Sequence, residues 1–426
     1  MNRTSGRTAC VLGVAGMAAW IVVCRTLLNP HARPALTVLY LLSGALVLLC
    51  LVASRANLRR GRGPVAPGRV VAIVPAYEED PQLLDDTLRA LLRQTRQVDE
   101  IHVVDDGSAR HPVRTFDHPR VRFHRQDNAG KRRAQAAVLA ELRPADWDFV
   151  LTVDSDSVAA DDALEHLLRA MSDPRVTAAT GVVLTRNHRQ NALTRVVDLN
   201  IGASCLLTRA ARSLFGVVET TSGALALYRA PVLFDNLADY VTSGTGGDDR
   251  RLTMYAQLRG QVVAVHDALV HSVMPHTLRG TFQQRVRWGK SSWVALPFAV
   301  TNLSWRQLLF PLLAVVQWAT LPALAAMLLT GTLSRTDPPH WWAIAASYLF
   351  VRYLEAAQYV LQRPGLSLRA RLLRLLWATP ADVLLTLLVL YPAKYWALCR
   401  LRHWGWHTRG DAHAGARQAL RGSAAR

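Results

Sequence analysis

Hydrophobic and polar positions divide the chain into three stretches of different character. Two apolar runs open it, Ala9–Val23 and Ala35–Ala53, and the second reaches membrane-spanning length without a charge. No A-x-A-like cleavage site separates them, so both read as transmembrane helices rather than a removed leader. An Arg/Gly/Pro linker, Ser54–Arg69, leads to a stretch in which short buried runs alternate with helical spacing. Val70–Val74 reads as a strand stopped by Pro75, and Ile101–Val104 as a second. Between them, Leu83, Leu84, Leu88, Leu91 and Leu92 recur at helical spacing. Val121–Phe123 is a weaker strand, Lys131–Leu142 an Ala-rich helix, and Phe149–Val153 a buried strand ending in acids. This alternation predicts an α/β domain, a parallel sheet with helices on both faces. Ligands of such sheets sit beyond the carboxyl ends of the strands.

Beyond about Gly280 the pattern turns membrane-like again. Leu308–Leu329 and Trp341–Leu361 are spanning candidates, the latter despite Arg352 and Glu355, and Val383–Leu398 is a shorter run broken by Pro392. With the N-terminus inside, two helices return the chain to the cytoplasm before Ser54, and two more before the basic loop Gln362–Arg374. The tail is basic too, so Leu375–Leu398 should enter and leave on one side. Pro380, Asp382 and Pro392 fit a broken or re-entrant segment there. The expected plan is therefore two transmembrane helices (1–53), a basic linker (54–69) and an α/β domain (70–280). An amphipathic interface segment (281–303), transmembrane or re-entrant helices (304–398) and a basic cytoplasmic tail (399–426) follow.

Charge refines this picture. Lys and Arg total 50 against 31 Asp and Glu, a formal net charge of +19 that would suit a nucleic-acid binder. Yet Arg55, Arg59, Arg60, Arg62 and Arg69 follow one apolar run, and Arg369, Arg371, Arg374, Arg400 and Arg402 flank others. That is the distribution of cytoplasmic loops on a multi-pass plasma-membrane protein, so the expected partner is a lipid bilayer and not nucleic acid. The five cysteines show no metal spacing and no disulfide framework.

Six polar clusters carry candidate chemistry, and most have an ordinary structural counterpart. Tyr77, Glu78, Glu79 and Asp80 follow the first strand, where a turn would look the same. Asp105-Asp106-Gly107-Ser108 ends the second; a carboxylate there suits the imide N–H of uracil, and an Asp-Gly turn is the alternative. Gly130-Lys131-Arg132 opens a helix, where N–H groups and cations suit a diphosphate. Asp154-Ser155-Asp156 leaves a buried strand with two hard oxygen donors suited to Mg²⁺ or Mn²⁺. Gly247-Asp248-Asp249-Arg250 begins another helix; an Asp held ionised by the helix N-terminus fits a general base, and also a simple N-cap. Gln284-Arg285-Val286-Arg287-Trp288 precedes the membrane segments, where Arg suits phosphate charge and an indole offers a platform for a pyranose; an interfacial Trp is the alternative.

Taken in order with Ser222-Gly223-Ala224-Leu225, these motifs resemble those of processive family 2 glycosyltransferases. The likeness is nearest to bacterial hyaluronan synthases, with chitin, nodulation chitooligosaccharide and cellulose synthases further off. It runs from about Val70 to Arg409, where Trp406-His407-Thr408-Arg409 looks like the family's W-x-T-R nucleotide-gating motif. The resemblance implies a GT-A-type, Rossmann-like cytoplasmic domain inserted between N- and C-terminal transmembrane helices. It implies UDP-sugar substrates, with UDP-GlcNAc and UDP-GlcA foremost, and a growing polysaccharide as acceptor. Tyr77, Glu79, Asp105 and Asp106 would then serve the nucleotide end, and Lys131 and Arg132 the diphosphate. Asp154 and Asp156 would hold the metal, and Asp249, with Asp248 and Arg287 beside it, would carry catalysis. Ser222, Gly223, Gln284 and Trp288 would shape the acceptor site, and Trp406, Thr408 and Arg409 would gate the nucleotide.

The chain departs from the pattern at Glu78, where Asn is usual, and at Ala224, where Pro is usual. The approach Thr242–Gly246 is short, and Gly289–Trp293 keeps Lys-Ser but loses the charged pair that normally follows. Chitin- or cellulose-like synthesis, transfer to a lipid acceptor, and a scaffold with a degenerate nucleotide-sugar domain are the rival readings.

Overall fold

The structure, a computed structural model, describes residues 48–243, 247–329 and 339–401, together with Ala19 and Val22. The first apolar run, most of the second, and the tail residues Trp406, Thr408 and Arg409 lie outside the described residues.

Helix α1 (Leu48–Asn57) continues past Ala53, so the linker begins later than its composition predicts. The reason is docking: Leu51, Ala53, Ser54 and Asn57 are buried, and the Asn57 amide donates to the Ala264 carbonyl at 2.9 Å.

Strand β1 (Val70–Ala76) is buried at every position. Its alternate side chains enter two cores, Val70, Ala72 and Val74 on one face and Val71 and Ile73 on the other. Helix α2 (Pro81–Leu92) starts where Asp80 accepts the Gln82 N–H, with Pro81 in the first turn, and buries Leu83, Leu84, Leu88 and Leu91. There follow β2 (Glu100–Asp106), β3 (Val121–Gln126), α3 (Lys131–Glu141) and β4 (Phe149–Thr152). These four strands pair in parallel, as their spacing predicts.

The second half departs from that prediction. It contains β5 (Ser157–Ala159), α4 (Ala163–Ala170), β6 (Val176–Thr185) and α5 (Ala192–Ala203). After α5, a π-helical stretch, Ser204–Arg209, leads into α6 (Ala210–Leu214). Then come β7 (Ala226–Arg229), α7 (Ala230–Phe234), α8 (Leu237–Thr242), α9 (Asp248–Arg259) and β8 (Gln261–Ser272). The eight strands run in the order β3-β2-β1-β4-β7-β6-β8-β5. The sheet is mixed rather than parallel, because β7 lies antiparallel to β4 and β6, and β5 antiparallel to β8.

Four helices follow among the described residues: α10 (Leu278–Asn302), α11 (Trp305–Leu329), α12 (Pro339–Gln362) and α13 (Leu368–Cys399). Among the described residues, α13 is long and apolar enough to cross a membrane. The break expected at Pro380 and Pro392 does not occur, and the chain stays helical through both. Each proline follows a π-helical turn, Arg374–Ala378 or Thr386–Leu390. A proline clashes with the carbonyl four residues back, here Leu376 and Leu388, and the wider turn accommodates it. Gly289 lets α10 approach α13, since a Cβ there would lie 2.8 Å from the Ala397 methyl. The Trp293 indole N–H donates to the Lys394 carbonyl at 3.0 Å across the same seam.

Candidate active site

The strand ends converge as the sheet topology requires. Glu78 sits just past β1 in a left-handed conformation (φ 48°), and its carboxylate accepts the N–H groups of Ala109, Arg110 and His111 at 2.9–3.1 Å. Burial opposes its charge, but these bonds outweigh burial and lower its pKa. Glu79 accepts a 2.5 Å bond from the Ser155 hydroxyl and so joins the β1 end to the Asp154–Asp156 loop. Tyr77 directly follows β1 and is half-buried.

Asp105 and Asp106 hold loops. Asp105 accepts from the Ser108 and Val113 N–H groups and from Arg125. Asp106 accepts from Gln126 and from the N–H groups of Ala129 and Gly130, at 2.7–2.9 Å. Gly107 (φ 75°) is required here, because a Cβ would lie 2.6 Å from the Asn128 nitrogen. Asp106 thereby fixes the start of α3, the helix that delivers Lys131.

Lys131 and Arg132, adjacent in sequence, diverge in space. The Lys131 ammonium lies 2.6 Å from Asp154 and 2.5 Å from Asp248, joining the β4 end to the α9 start. Burial works against its charge, yet the two carboxylates prevail and raise its pKa above the usual lysine range. Arg132 instead donates to the Tyr240 carbonyl and the Ser243 hydroxyl at 3.0 and 2.7 Å. Gly223 closes over the ion pair: a Cβ there would sit 3.1 and 3.2 Å from the Asp154 oxygens and 3.2 Å from the Lys131 nitrogen. Ser222 is pinned by its N–H to Thr180 at 2.9 Å.

Asp249 lies next to this cluster on the first turn of α9. The helix N-terminus predicts a firmly ionised carboxylate; instead burial first, and the Asp248 charge second, push its pKa up to about 6. Lys131, Arg250 and the Arg250 N–H pull the other way and do not prevail. Three residues not among the expected site residues support that turn. Thr253 donates to the Asp249 carbonyl at 2.6 Å, and Thr221 bonds Thr253 and the Tyr228 hydroxyl at 3.0 and 2.6 Å. A Cβ on Gly247 would fall 2.0 Å from the Ser291 hydroxyl, so the α9 start and α10 are in close contact. That contact places Asp249 near the helix bearing Gln284, Arg287 and Trp288. Trp288 is 39% exposed, with the Arg285 guanidinium 4.4 Å over its ring. Gln284 bonds the Met274 sulfur at 3.7 Å.

Among the described residues, no group of three or more His, Cys, Asp or Glu side chains forms a closed metal cage. Asp154 and Asp156 still fit a hard divalent cation. Mg²⁺ commonly takes one or two carboxylates, its other ligands being water and substrate phosphate. The Gly223 hollow keeps the space beside Asp154 clear of side chain. Asp156 itself is buried against the Ser157 and Ser272 hydroxyls at 3.2 and 3.3 Å.

Three comparisons bear on this arrangement. The family described as glycosyltransferase like family 2 matches residues 67–291. A hyaluronan synthase of Streptococcus pyogenes serotype M1 is 32% identical over 80% of this chain and 83% of its own length. An N-acetylglucosaminyltransferase of Bradyrhizobium diazoefficiens is 33% identical over 82% of this chain and 73% of its own. Among solved structures, a mannosyltransferase from Pyrobaculum calidifontis, in complex with GDP-mannose and Mn²⁺, superposes with a TM-score of 0.52 at 20% identity. It covers 79% of this chain and 97% of that one, a likeness of fold.

Proposed function

The chain belongs to glycosyltransferase family 2, and from that premise we propose that it is a membrane-integrated, processive, inverting β-glycosyltransferase polymerising UDP-sugars. It is a hexosyltransferase on a GT-A-type fold with a mixed sheet. UDP-GlcNAc is the proposed donor, with UDP-GlcA as the second sugar of a hyaluronan-like product; the names of the two relatives support both choices. The observation that carries the reading is one juxtaposition. Lys131 is held between Asp154 and Asp248, and the next residue, Asp249, is a carboxyl with its pKa raised to about 6.

Each part has a chemical task. Lys131 neutralises the acids around the diphosphate position and offers its ammonium to phosphate oxygen. Asp154 and Asp156 would hold Mg²⁺ or Mn²⁺, which when bound supplies charge neutralisation for the leaving diphosphate. Asp249 takes the proton of the acceptor hydroxyl as that oxygen bonds to the anomeric carbon. A base with a pKa near the working pH combines availability with driving force. The anomeric carbon–phosphate oxygen bond breaks, UDP departs, and a UDP-α-sugar yields a β-linkage. Trp288 presents an indole face on which successive terminal sugars stack between additions.

The bilayer enters through α13, whose Leu372, Leu376, Leu384 and Leu388 are exposed apolar side chains. The proposed placement is multi-pass in the plasma membrane, with the α/β domain cytoplasmic. The test is incubation of membranes with UDP-GlcNAc, alone and with UDP-GlcA. High-mass product in the mixture supports a hyaluronan-like polymer. Product from UDP-GlcNAc alone redirects the reading to a chitin-like chain.

A further inference from the structure

We propose that Arg285, Asn200 and Asp382 form a relay that sets the orientation of the Trp288 indole, so that the acceptor platform is held from α5 and α13 as well as by its own helix. The proposal rests on the platform reading of Trp288.

Arg285 lies one helical turn before Trp288, and its guanidinium covers one face of the indole at 4.4 Å. Its Nη2 donates to the Asn200 side-chain oxygen at 3.4 Å. The nitrogen of that amide donates to Asp382 Oδ1 at 2.8 Å. The other Asp382 oxygen accepts from Arg352, which also pairs with Glu355. Asp382 is fully buried.

Asn200 has only one workable orientation. Arg285 is purely a donor and the Asp382 carboxylate purely an acceptor, so the amide oxygen must face the first and its nitrogen the second. A carboxylate at 200 would repel Asp382, and a cation would repel Arg285. Burial lowers the Arg285 pKa to about 10, and Asp382 acts in the opposite sense. A solvent-facing arginine would carry its charge to water. This one is compensated through a neutral amide, an arrangement that fixes geometry at an energetic cost. Helix α5 is itself locked in place: Asp198, two residues from Asn200 and fully buried, accepts from Arg363 and Arg374 at 2.8 and 2.6 Å and from Tyr359. Asn200 is therefore a fixed point from which the Trp288 ring is set.

A misoriented platform should harm elongation and spare donor binding. The experiment uses the full chain in membranes, with Asn200→Asp, Asp382→Asn, the double variant and Trp288→Ala, reading early product length and UDP-sugar hydrolysis by water. Each single variant is expected to slow elongation by about ten- to hundredfold, the scale on which small misplacements cost rate, and so to shorten early product. Donor KM and hydrolysis should stay within about twofold. The double variant exchanges acid and amide while keeping both hydrogen bonds and the net charge, and is expected to restore length. Single variants of normal length, a double variant as short as the singles, or length and hydrolysis falling together would overturn the relay. Short product from Trp288→Ala beside normal singles would overturn the relay alone. Full-length product from Trp288→Ala would overturn the platform and the relay with it. Should a single variant not insert, Arg285→Met keeps bulk over the ring without charge, and it must shorten product with hydrolysis intact.

Discussion

At the scale of the residue, the site turns on two adjacent acids given different environments. Asp248 is paired with Lys131, whereas Asp249 is pushed up to about 6 by burial first and by its neighbour's charge second. Asp249→Asn is expected to keep the donor KM and lose about 10²–10⁴-fold in turnover, the usual worth of a positioned base. A dead Asp248→Asn beside an active Asp249→Asn would move the role by one residue. Because the base acts ionised, turnover should fall as pH drops through about 6, and a flat profile there would contradict the assignment. The stability sign is opposite. Asp249 has a folded pKa above its unfolded value of about 3.9, so the folded state binds the extra proton and loses stability as pH rises through that window. Asp249→Asn should therefore melt above the wild type at neutral pH and level with it near pH 4, about the unfolded value.

At the scale of the element, glycine positions report how closely parts must meet. Gly223→Ala would press a methyl between Asp154 and Lys131 at 3.1–3.2 Å, so donor KM should rise while the melting temperature changes little. An unchanged KM would show that the hollow is not used by the donor. Strands β1 and β4 were legible as unbroken apolar runs ended by proline or acids, and β2 and β3 as shorter runs interrupted by His102 and Arg122. Strands β7 and β8 were not: one runs directly into a helix at Ala230 without a turn, and the other carries His266, Asp267 and His271 within it. Missing them made the sheet look parallel. The acids at the strand ends were legible as a set, but the side chains they use were not. Asp105 and Asp106 spend their oxygens on loop N–H groups, and Lys131 parts from Arg132, both consequences of folding that spacing does not encode. Thr221 and Thr253, which brace the Asp249 turn, are unremarkable in sequence. The prolines in α13 were read as breaks because sequence rules do not anticipate a π-turn that absorbs them.

At the scale of the whole molecule, the α/β domain is fastened to the helices around it. Helix α1 docks through Asn57 onto β8, and α5 is clamped by Arg363, just past α12, and by Arg374 of α13. The proposed topology keeps the tail on the same side as the active site, which requires the unbroken α13 to dip into or lie along the bilayer rather than cross it, so a reporter fused after Arg426 is expected to read cytoplasmic. An external reading would separate Trp406–Arg409 from the nucleotide. Processive growth requires the chain to stay bound between additions, so early product should be long chains beside untouched acceptor. A ladder of short products lengthening together would favour release after each step and a lipid or oligosaccharide acceptor. The most direct measurement is incorporation of labelled sugar from UDP-GlcNAc, with UDP-GlcA present, into high-mass product by membranes bearing the wild-type chain or Asp249→Asn. The account predicts stoichiometric UDP release and polymer from the wild type, and loss of both in the variant. UDP release without sugar transfer by the wild type, or full polymer from Asp249→Asn, would contradict it.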